Sequence, residues 1–303
     1  MKKVYCFECD KQVEPRCNEK KNKHKINGES FFVNETIYTC PFCNNEVLPD
    51  DFDPLEKIYK EYLKQYDLNF DDFKNIRKKY NLSQEMFSKI LGWSKKTVIR
   101  YENKESFPQK IYLDTYNSLK HNKSYFVNIL IQRKKKLRKD YYNILEKSGL
   151  YNHVKTINCF LYMLDKNDLY STALMKNMFA LDFYFNKTYN APITSLHYAK
   201  APFGPIIDNH DEIINYLINN GYISVVLNDD DKIKFKSNLK YDDNMFTEKE
   251  LNSMRYVKDK LLGKSSVSLS DWSHKFIGWK ETKNGKIISF SKYKNEFNIE
   301  TLN

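Results

Sequence analysis

The chain is poor in the features that mark common catalytic and membrane architectures. It has only eight glycines in 303 residues, and they form neither a GxGxxG turn nor a phosphate-binding P-loop. No HExxH helix is present. His210-Asp-Glu212 imitates the HxE of a zinc deaminase, but no Pro-Cys-x2-Cys follows it. No run approaches the roughly 20 apolar residues that a membrane span requires, and Val4-Tyr5-Cys6 begins no apolar signal core after the opening lysines. A soluble, cytoplasmic, non-enzymatic protein with no membrane partner is the expectation. Internal repeats and low-complexity tracts are also missing.

Charge is plentiful and unevenly placed. The formal net charge is +11, of which residues 1–150 carry +9 and residues 151–303 only +2. Between residues 73 and 139 there are 18 basic and 4 acidic side chains. Such a concentration suits a polyanion, with phosphate contacts supplying affinity.

Cysteine is sparse but patterned. Four of the six cysteines form Cys6-x2-Cys9 and Cys40-x2-Cys43. Two such pairs about 30 residues apart are a tetrahedral Zn2+ signal, because each short loop brings two thiolates to one ion. Four thiolates leave no open coordination position, so the ion is expected to be structural. Cys17 and His24 are rival ligands, but neither sits in a knuckle; Cys159 stands alone in an apolar helical pattern. Between the pairs, residues 29–39 read as a strand. The segment resembles the zinc ribbon of MqsA/YgiT-type antitoxins, although its first knuckle, Cys-Phe-Glu-Cys-Asp, lacks the proline and glycine usual there.

Beyond the turn-rich link at 50–54 the periodicity is helical. Leu55, Ile58, Tyr59, Tyr62 and Leu63 recur on one face, and Phe70, Phe73 and Ile76 repeat the spacing. Ser83 is placed as an N-cap ahead of Glu85, and Met86, Phe87, Ile90 and Leu91 form the buried face of that helix. Gly92 supplies a positive φ at a tight turn, and Ser94 caps the helix that follows. In that second helix Val98 faces inward, while Lys96 and Arg100 share the outer face at i, i+4. This is the geometry of a recognition helix laid in a major groove. Gln84, at a helix N-terminus, and Tyr101, by its hydroxyl, are candidate phosphate contacts; Ser94, Lys95 and Thr97 complete the candidate DNA-binding set. Tyr101 also reads as packing, and Lys95 and Lys96 as a solvated face. The stretch Leu-Ser-Gln-x6-Leu-Gly-x4-Thr-Val-x-Arg-Tyr-Glu-Asn-x4-Pro resembles the Xre-like helix-turn-helix that follows the ribbon in MqsA-type antitoxins. The resemblance implies base contacts at Lys96 and Arg100. That family often has asparagine at the earlier position; lysine can donate to guanine or phosphate.

Residues 124–147 are expected as one basic amphipathic helix, about 35 Å long at about 1.5 Å per residue, ended by Ser148-Gly149. Its run 133–139 reads either as extra phosphate contact or as a solvated face. Its apolar seam pairs two subunits or packs on a neighbouring domain.

Residues 150–303 read as a mainly helical α+β domain. Helices are expected near 153–165, 172–186, 210–220, 247–262 and 268–276. Extended segments are expected at 195–201, 222–227, 232–235 and 286–291, with Asn228–Asp231 as a hairpin tip and not a metal site. Tyr198-Ala-Lys-Ala-Pro-Phe-Gly-Pro-Ile-Ile-Asp208 and Ser270-x2-Ser273-His274-x4-Trp279 resemble the Panacea domain of SocA-like antitoxins, as do the apolar runs 159–164 and 178–185. The resemblance implies neutralisation of a protein toxin by direct contact. Tyr198, Phe203 and Trp279 are the aromatic candidates for that contact, with Gly204, Pro205 and His274 beside them; each also has a packing or turn-shaping reading. Ser273 next to His274 invites a nucleophile–base reading, but no third orienting group is visible in the sequence.

The whole is expected to be multidomain. A small β-rich zinc ribbon spans 1–50, an all-α helix-turn-helix domain 51–122, a basic connecting helix 123–149, and a Panacea-like domain 150–303. The expected function is that of an antitoxin, dimeric on operator DNA, with a cognate toxin as partner. A transcription regulator, phage-borne or not, whose C-terminal half senses another partner is the alternative.

Overall fold

A computed structural model describes residues 3–138, 140–227 and 233–302. The chain divides into two compact units, Met1–Ser148 and Gly149–Asn303, at the Ser-Gly pair expected to end a helix.

The first unit opens with β1 (Val4–Cys6) and β2 (Lys11–Val13), an antiparallel pair that carries the first knuckle at its turn. A longer hairpin follows, β3 (Arg16–Ile26) and β4 (Glu29–Thr39), in register from Arg16 opposite Thr39 to Ile26 opposite Glu29. A strand pattern is visible in the sequence for β4 but not for β3. Lysine, asparagine and glutamate fill β3, so no apolar alternation reveals it; it is a strand because β4 pairs it along its full length. Val4, Val13 and Val47 pack with Cys6 and Cys40 into a small core.

Helix α1 (Pro54–Lys64) starts with proline in its first turn, and Asp53 accepts from the Leu55 N–H at 2.9 Å. It buries Ile58, Tyr62 and Leu63, while Leu55, expected on the same face, is exposed. Helices α2 (Asp72–Lys79), α3 (Gln84–Leu91), α4 (Lys95–Glu102), α5 (Lys110–His121) and α6 (Lys123–Leu137) form a bundle around Phe73, Phe87, Leu113, Tyr116 and Phe126. Tyr80 stacks on Phe126 with ring centroids 3.9 Å apart. The expected single helix over 124–147 is two. Arg138 takes φ 49° and ψ −120°, which ends α6, and α7 (Asp140–Lys147) follows. The seam of α6, at Phe126, Val127, Leu130 and Leu137, is buried, and α6 packs on α3. It is therefore part of the helical bundle and not a free connecting helix.

The second unit is built on α8 (Tyr151–Leu164) and the 19-residue α9 (Ser171–Tyr189), which is buried on nearly every side. Strand β5 (Leu169–Tyr170) precedes α9. Strands β6 (Tyr198–Ala201) and β7 (Gly204–Ile207) make a tight hairpin turned by Pro202-Phe203. After α10 (His210–Asn219), β8 (Ile223–Leu227) and β9 (Ile233–Ser237) pair antiparallel and β5 joins β9. The expected hairpin tip at 228–231 and Lys232 lie outside the described residues. Then come α11 (Glu248–Leu261), opened by a capping box between Thr247 and Glu250, α12 (Ser266–Lys275), α13 (Ile277–Glu281) and α14 (Phe290–Tyr293). The strand expected at 286–291 is not formed. Only Ile287 bridges Ala199, and Ser289 then caps α14 by accepting from the Lys292 N–H at 3.3 Å.

Candidate metal centre and nucleic-acid interface

The two knuckles converge. The four Sγ atoms of Cys6, Cys9, Cys40 and Cys43 lie within 4.8 Å of one another. Cys6 and Cys43 are 3.6 Å apart and Cys9 and Cys40 are 3.8 Å apart. A tetrahedron with metal–sulfur bonds of about 2.3 Å has edges of about 3.8 Å, so the donor set fits one ion. The Phe42 N–H points at Cys40 Sγ at 3.5 Å. Burial pushes the Cys40 thiol up, but backbone N–H donation from Cys43 and Phe42, with the adjoining thiols, outweighs it and lowers it to about 6. Cys9, crowded by the thiol of Cys43 and by burial, rises to about 12. Cys17 is exposed on β3, and His24 pairs with Glu35 at 2.8 Å; neither joins the cluster. Among the described residues the four knuckle cysteines are the one group able to hold a metal ion.

The helix-turn-helix forms as its caps require. Ser83 accepts from the Met86 N–H at 3.1 Å and Ser94 from the Thr97 N–H at 3.0 Å. Gly92 between them has φ 74°. Lys95, Lys96 and Arg100 project from α4 into solvent, and none has an ion-pair partner among the described residues. Val98 is buried. Tyr101 is buried too and packs edge-on against Tyr112, so packing is its role in the free protein. Gln84 donates to Glu102 at 3.0 Å, which fixes its side chain over the start of α3.

Two supports of this surface were not read from the sequence. Arg77 grips Glu102 with two parallel bonds of 2.6 and 2.7 Å and donates to the Leu82 carbonyl at 2.6 Å. The end of α4 is thereby tied to the chain entering α3. Arg133 lies against Gly92, where a Cβ would come within 2.5 Å of its guanidinium, and donates to the Leu91 carbonyl at 3.5 Å. The first residue of the basic run therefore braces the turn, while Lys135 and Lys136 are exposed and Lys139 lies outside the described residues. Both pairings are distant in sequence, at 25 and 42 residues, and no periodicity reports them.

In the second unit, most of the aromatic and turn residues singled out from the sequence gather around the β6–β7 turn. Phe203 stands at its tip, 73% exposed. Its carbonyl accepts from Ser270 at 3.1 Å, and the Trp279 indole donates to the Ala201 carbonyl at 3.1 Å. His274 stacks on Trp279 at 4.1 Å, and the Lys200 ammonium sits over the same indole at 4.5 Å. Gly204 has φ 98°, and a Cβ there would meet Ser273 Oγ at 2.1 Å and Lys176 Cε at 2.7 Å. Gly204 and Pro205 are buried and shape the turn. Tyr198, expected as a contact residue, is fully buried and donates to Asp182 at 2.7 Å; it offers no surface to a partner. Ser273 donates to the Ser270 carbonyl at 2.8 Å, which occupies its proton within its own helix.

The site geometry defines a class: a helix-turn-helix unit with a four-thiol ribbon able to hold a metal ion, followed by a mainly helical second unit. Residues 73–110 match the helix-turn-helix family, and residues 174–280 match the family described as antitoxin SocA-like, Panacea domain. The second unit thus carries a SocA-like Panacea domain, and neither matched family is a family of enzymes. No curated protein and no solved structure matches the chain. Among the described residues no helix is long and apolar enough to cross a membrane.

Proposed function

We propose that the protein is the antitoxin of a toxin–antitoxin pair: it holds a protein toxin through its second unit and binds operator DNA through α4 to control its own transcription. The observation that carries this reading is the joining, in one chain, of a Panacea domain to a helix-turn-helix whose Lys96 and Arg100 are exposed and have no ion-pair partner among the described residues. Phe203, exposed at the β6–β7 turn with Trp279 and His274 beside it, supports that turn as the toxin contact. The four cysteines hold Zn2+ as a structural ion, and the protein acts as a homodimer on a palindrome, the arrangement usual for paired recognition helices.

Co-expression tests the first half. The neighbouring gene is expected to arrest growth alone and to be harmless with this chain; Phe203→Asp is expected to restore arrest. Rescue by residues 1–148 alone would sink the assignment to the second unit. For the operator, Lys96→Ala with Arg100→Ala is expected to abolish the mobility shift of the gene's own upstream DNA without changing the melting curve. Zn2+ is checked by elemental analysis, with one ion per chain expected and none after Cys40→Ser.

A groove of about 460 Å³ between α8 and α10, with His153 and Tyr216 bonded at 3.1 Å on its wall, favours the second reading, a regulator that senses a small ligand. Toxin-independent release from DNA by a host metabolite would select it.

A further inference from the structure

The β3–β4 hairpin is long, and its two faces differ. On one face Phe31 and Val33 are buried, and Phe31 packs on Tyr62 of α1 with centroids 5.2 Å apart. Strand geometry then turns the alternate residues outward. Toward the tip these are, on β3, Lys21, Lys23 and Lys25, opposite Asn34, Phe32 and Ser30 of β4 in register; the next outward residue of β3, Glu19, is acidic and exposed opposite Thr36. The six residues toward the tip are exposed and none of them is acidic, and the three lysines have no ion-pair partner among the described residues. The Lys21 ammonium lies over the exposed Phe32 ring at 5.2 Å, which holds the charge out from the sheet.

The ribbon is fixed to the helix-turn-helix at its tip. Asn27 donates to the carbonyl of Pro108, six residues after α4 ends, at 3.4 Å. At the next position but one Glu29 accepts from Lys110, from Tyr62 at 3.1 Å and from Tyr66 at 2.7 Å. The charged strand is thereby anchored to α1 and to the segment that leads from α4 into α5, and is not an independent tail.

We infer that the Lys21, Lys23 and Lys25 face of the hairpin is a second DNA contact, which tracks the phosphate backbone beside the site read by α4. Alternate residues of an antiparallel strand stand about 6.8 Å apart, which is two phosphate intervals along the axis of one B-DNA strand at about 3.4 Å each. Three lysines at that spacing against the single carboxylate of Glu19 leave the face net positive and complementary to a regular polyanion, and a two-stranded ribbon is narrow enough to lie along a groove edge. The contact carries no base readout, so it adds affinity and salt dependence and leaves sequence preference to Lys96 and Arg100. This inference rests on the reading of α4 as a DNA-binding helix.

The test is the salt dependence of binding of the full chain to a fixed 40-base-pair duplex of random sequence, read by fluorescence anisotropy between about 50 and 200 mM salt. Three phosphate contacts contribute about 2.7 to the slope of log affinity against log salt. The variant Lys21→Gln, Lys23→Gln, Lys25→Gln is expected to bind with a slope shallower by about that amount, whereas arginine at the same positions keeps it. Lys236→Gln, Lys240→Gln, Lys275→Gln removes the same charge from the second unit and is expected to leave the slope unchanged. An unchanged slope in the ribbon variant, with the unmodified chain binding normally, overturns this inference alone. The same unchanged slope with loss of toxin capture assigns the ribbon to a protein partner and overturns it equally. Failure of the unmodified chain to bind any duplex strikes the DNA reading itself, and this inference with it.

Discussion

Two buried acids, Glu102 in the first unit and Asp182 in the second, are taken out of water in opposite ways. In the first, Glu102 is nearly sealed, with a side chain 2% exposed, and meets the Arg77 guanidinium with two parallel bonds. The pair neutralises itself, and hydrogen bonding to Glu102 holds the guanidinium pKa above its ordinary value. In the second unit Asp182 has no cationic partner among the described residues. Its carboxylate accepts from the N–H groups of Ile193 and Thr194 at 3.1 and 2.9 Å, from the Tyr198 hydroxyl at 2.7 Å and from the Thr194 hydroxyl. Burial outweighs these bonds and raises its pKa. Lys176 of the same helix is buried on its own with one acceptor, the Pro205 carbonyl at 2.9 Å. The first arrangement locks the end of α4, the helix proposed to present its outer face to DNA. The second uses buried polar groups as pins: Asp182 fixes the chain entering β6, and Lys176 fixes the start of β7.

The sharpest way to break the comparison is to remove each acid. Asp182→Ala leaves four donors without an acceptor, and at about 1–3 kcal/mol for each buried unsatisfied group the loss is expected to reach at least about 4 kcal/mol. Hydrogen exchange should then show the second unit open while the first keeps its protection. Glu102→Ala strands a buried guanidinium and is expected to cost about 3 kcal/mol, confined to residues 1–148. The double variant Arg77→Met, Glu102→Leu is expected to recover most of that, because an ion pair replaced whole is far cheaper than one broken. If Glu102→Ala leaves the exchange of α4 unchanged, the pair does not hold the recognition helix.

Much of the fold was legible in the sequence where a single element carries its own signal. Ser83, Gly92 and Ser94 announce α3 and α4 because caps and a positive φ act locally. The cysteine knuckles are legible because metal geometry fixes their spacing. Where the signal depends on a partner strand or helix, it was lost. β3 is polar throughout and exists only against β4; the break at Arg138 has no glycine or proline to mark it. For the candidate sites the division is the same. Lys96 and Arg100 were readable from helical spacing, whereas Arg77, Arg133 and the pocket that buries Tyr198 are tertiary facts. Tyr198 illustrates the cost: an aromatic next to a turn reads as an anchor, and only the position of Asp182 makes it core.

A smaller perturbation asks whether the pins act together. Gly204→Ala places a methyl 2.1 Å from Ser273 Oγ and 2.7 Å from Lys176 Cε at a φ of 98°. Strain and overpacking together are expected to cost about 2–3 kcal/mol, read as a lower urea midpoint for the second unit. Gly204→Ala combined with Ser273→Ala relieves one clash but not the backbone, so it is expected to recover part and not all of the loss. Full recovery would show that the positive φ costs nothing here.

The mildest test sharpens the contrast between a paired and an unpaired buried charge. Burial lowers Lys176 to about 7, against the ordinary 10.5 for lysine. Between those values the unfolded chain holds a proton that the folded chain has released. Stability of the second unit is therefore expected to rise with pH across pH 7 to 10.5, by up to about 1.4 kcal/mol per unit, and to be flat with respect to this group below pH 7. Lys258, also lowered by burial, contributes in the same direction, so the difference from a variant is the informative quantity. Lys176→Met keeps the length and apolar stem of the side chain and loses only the amine. It is expected to flatten the rise between pH 7 and 9.5, with the two proteins closest in stability at the alkaline end, where the native lysine is already neutral. The pH profile of the first unit is expected to be the same with and without Lys176→Met. If Lys176→Met leaves the slope intact, the buried amine keeps its proton in the folded state, and the Pro205 carbonyl satisfies an ammonium and not a neutral amine.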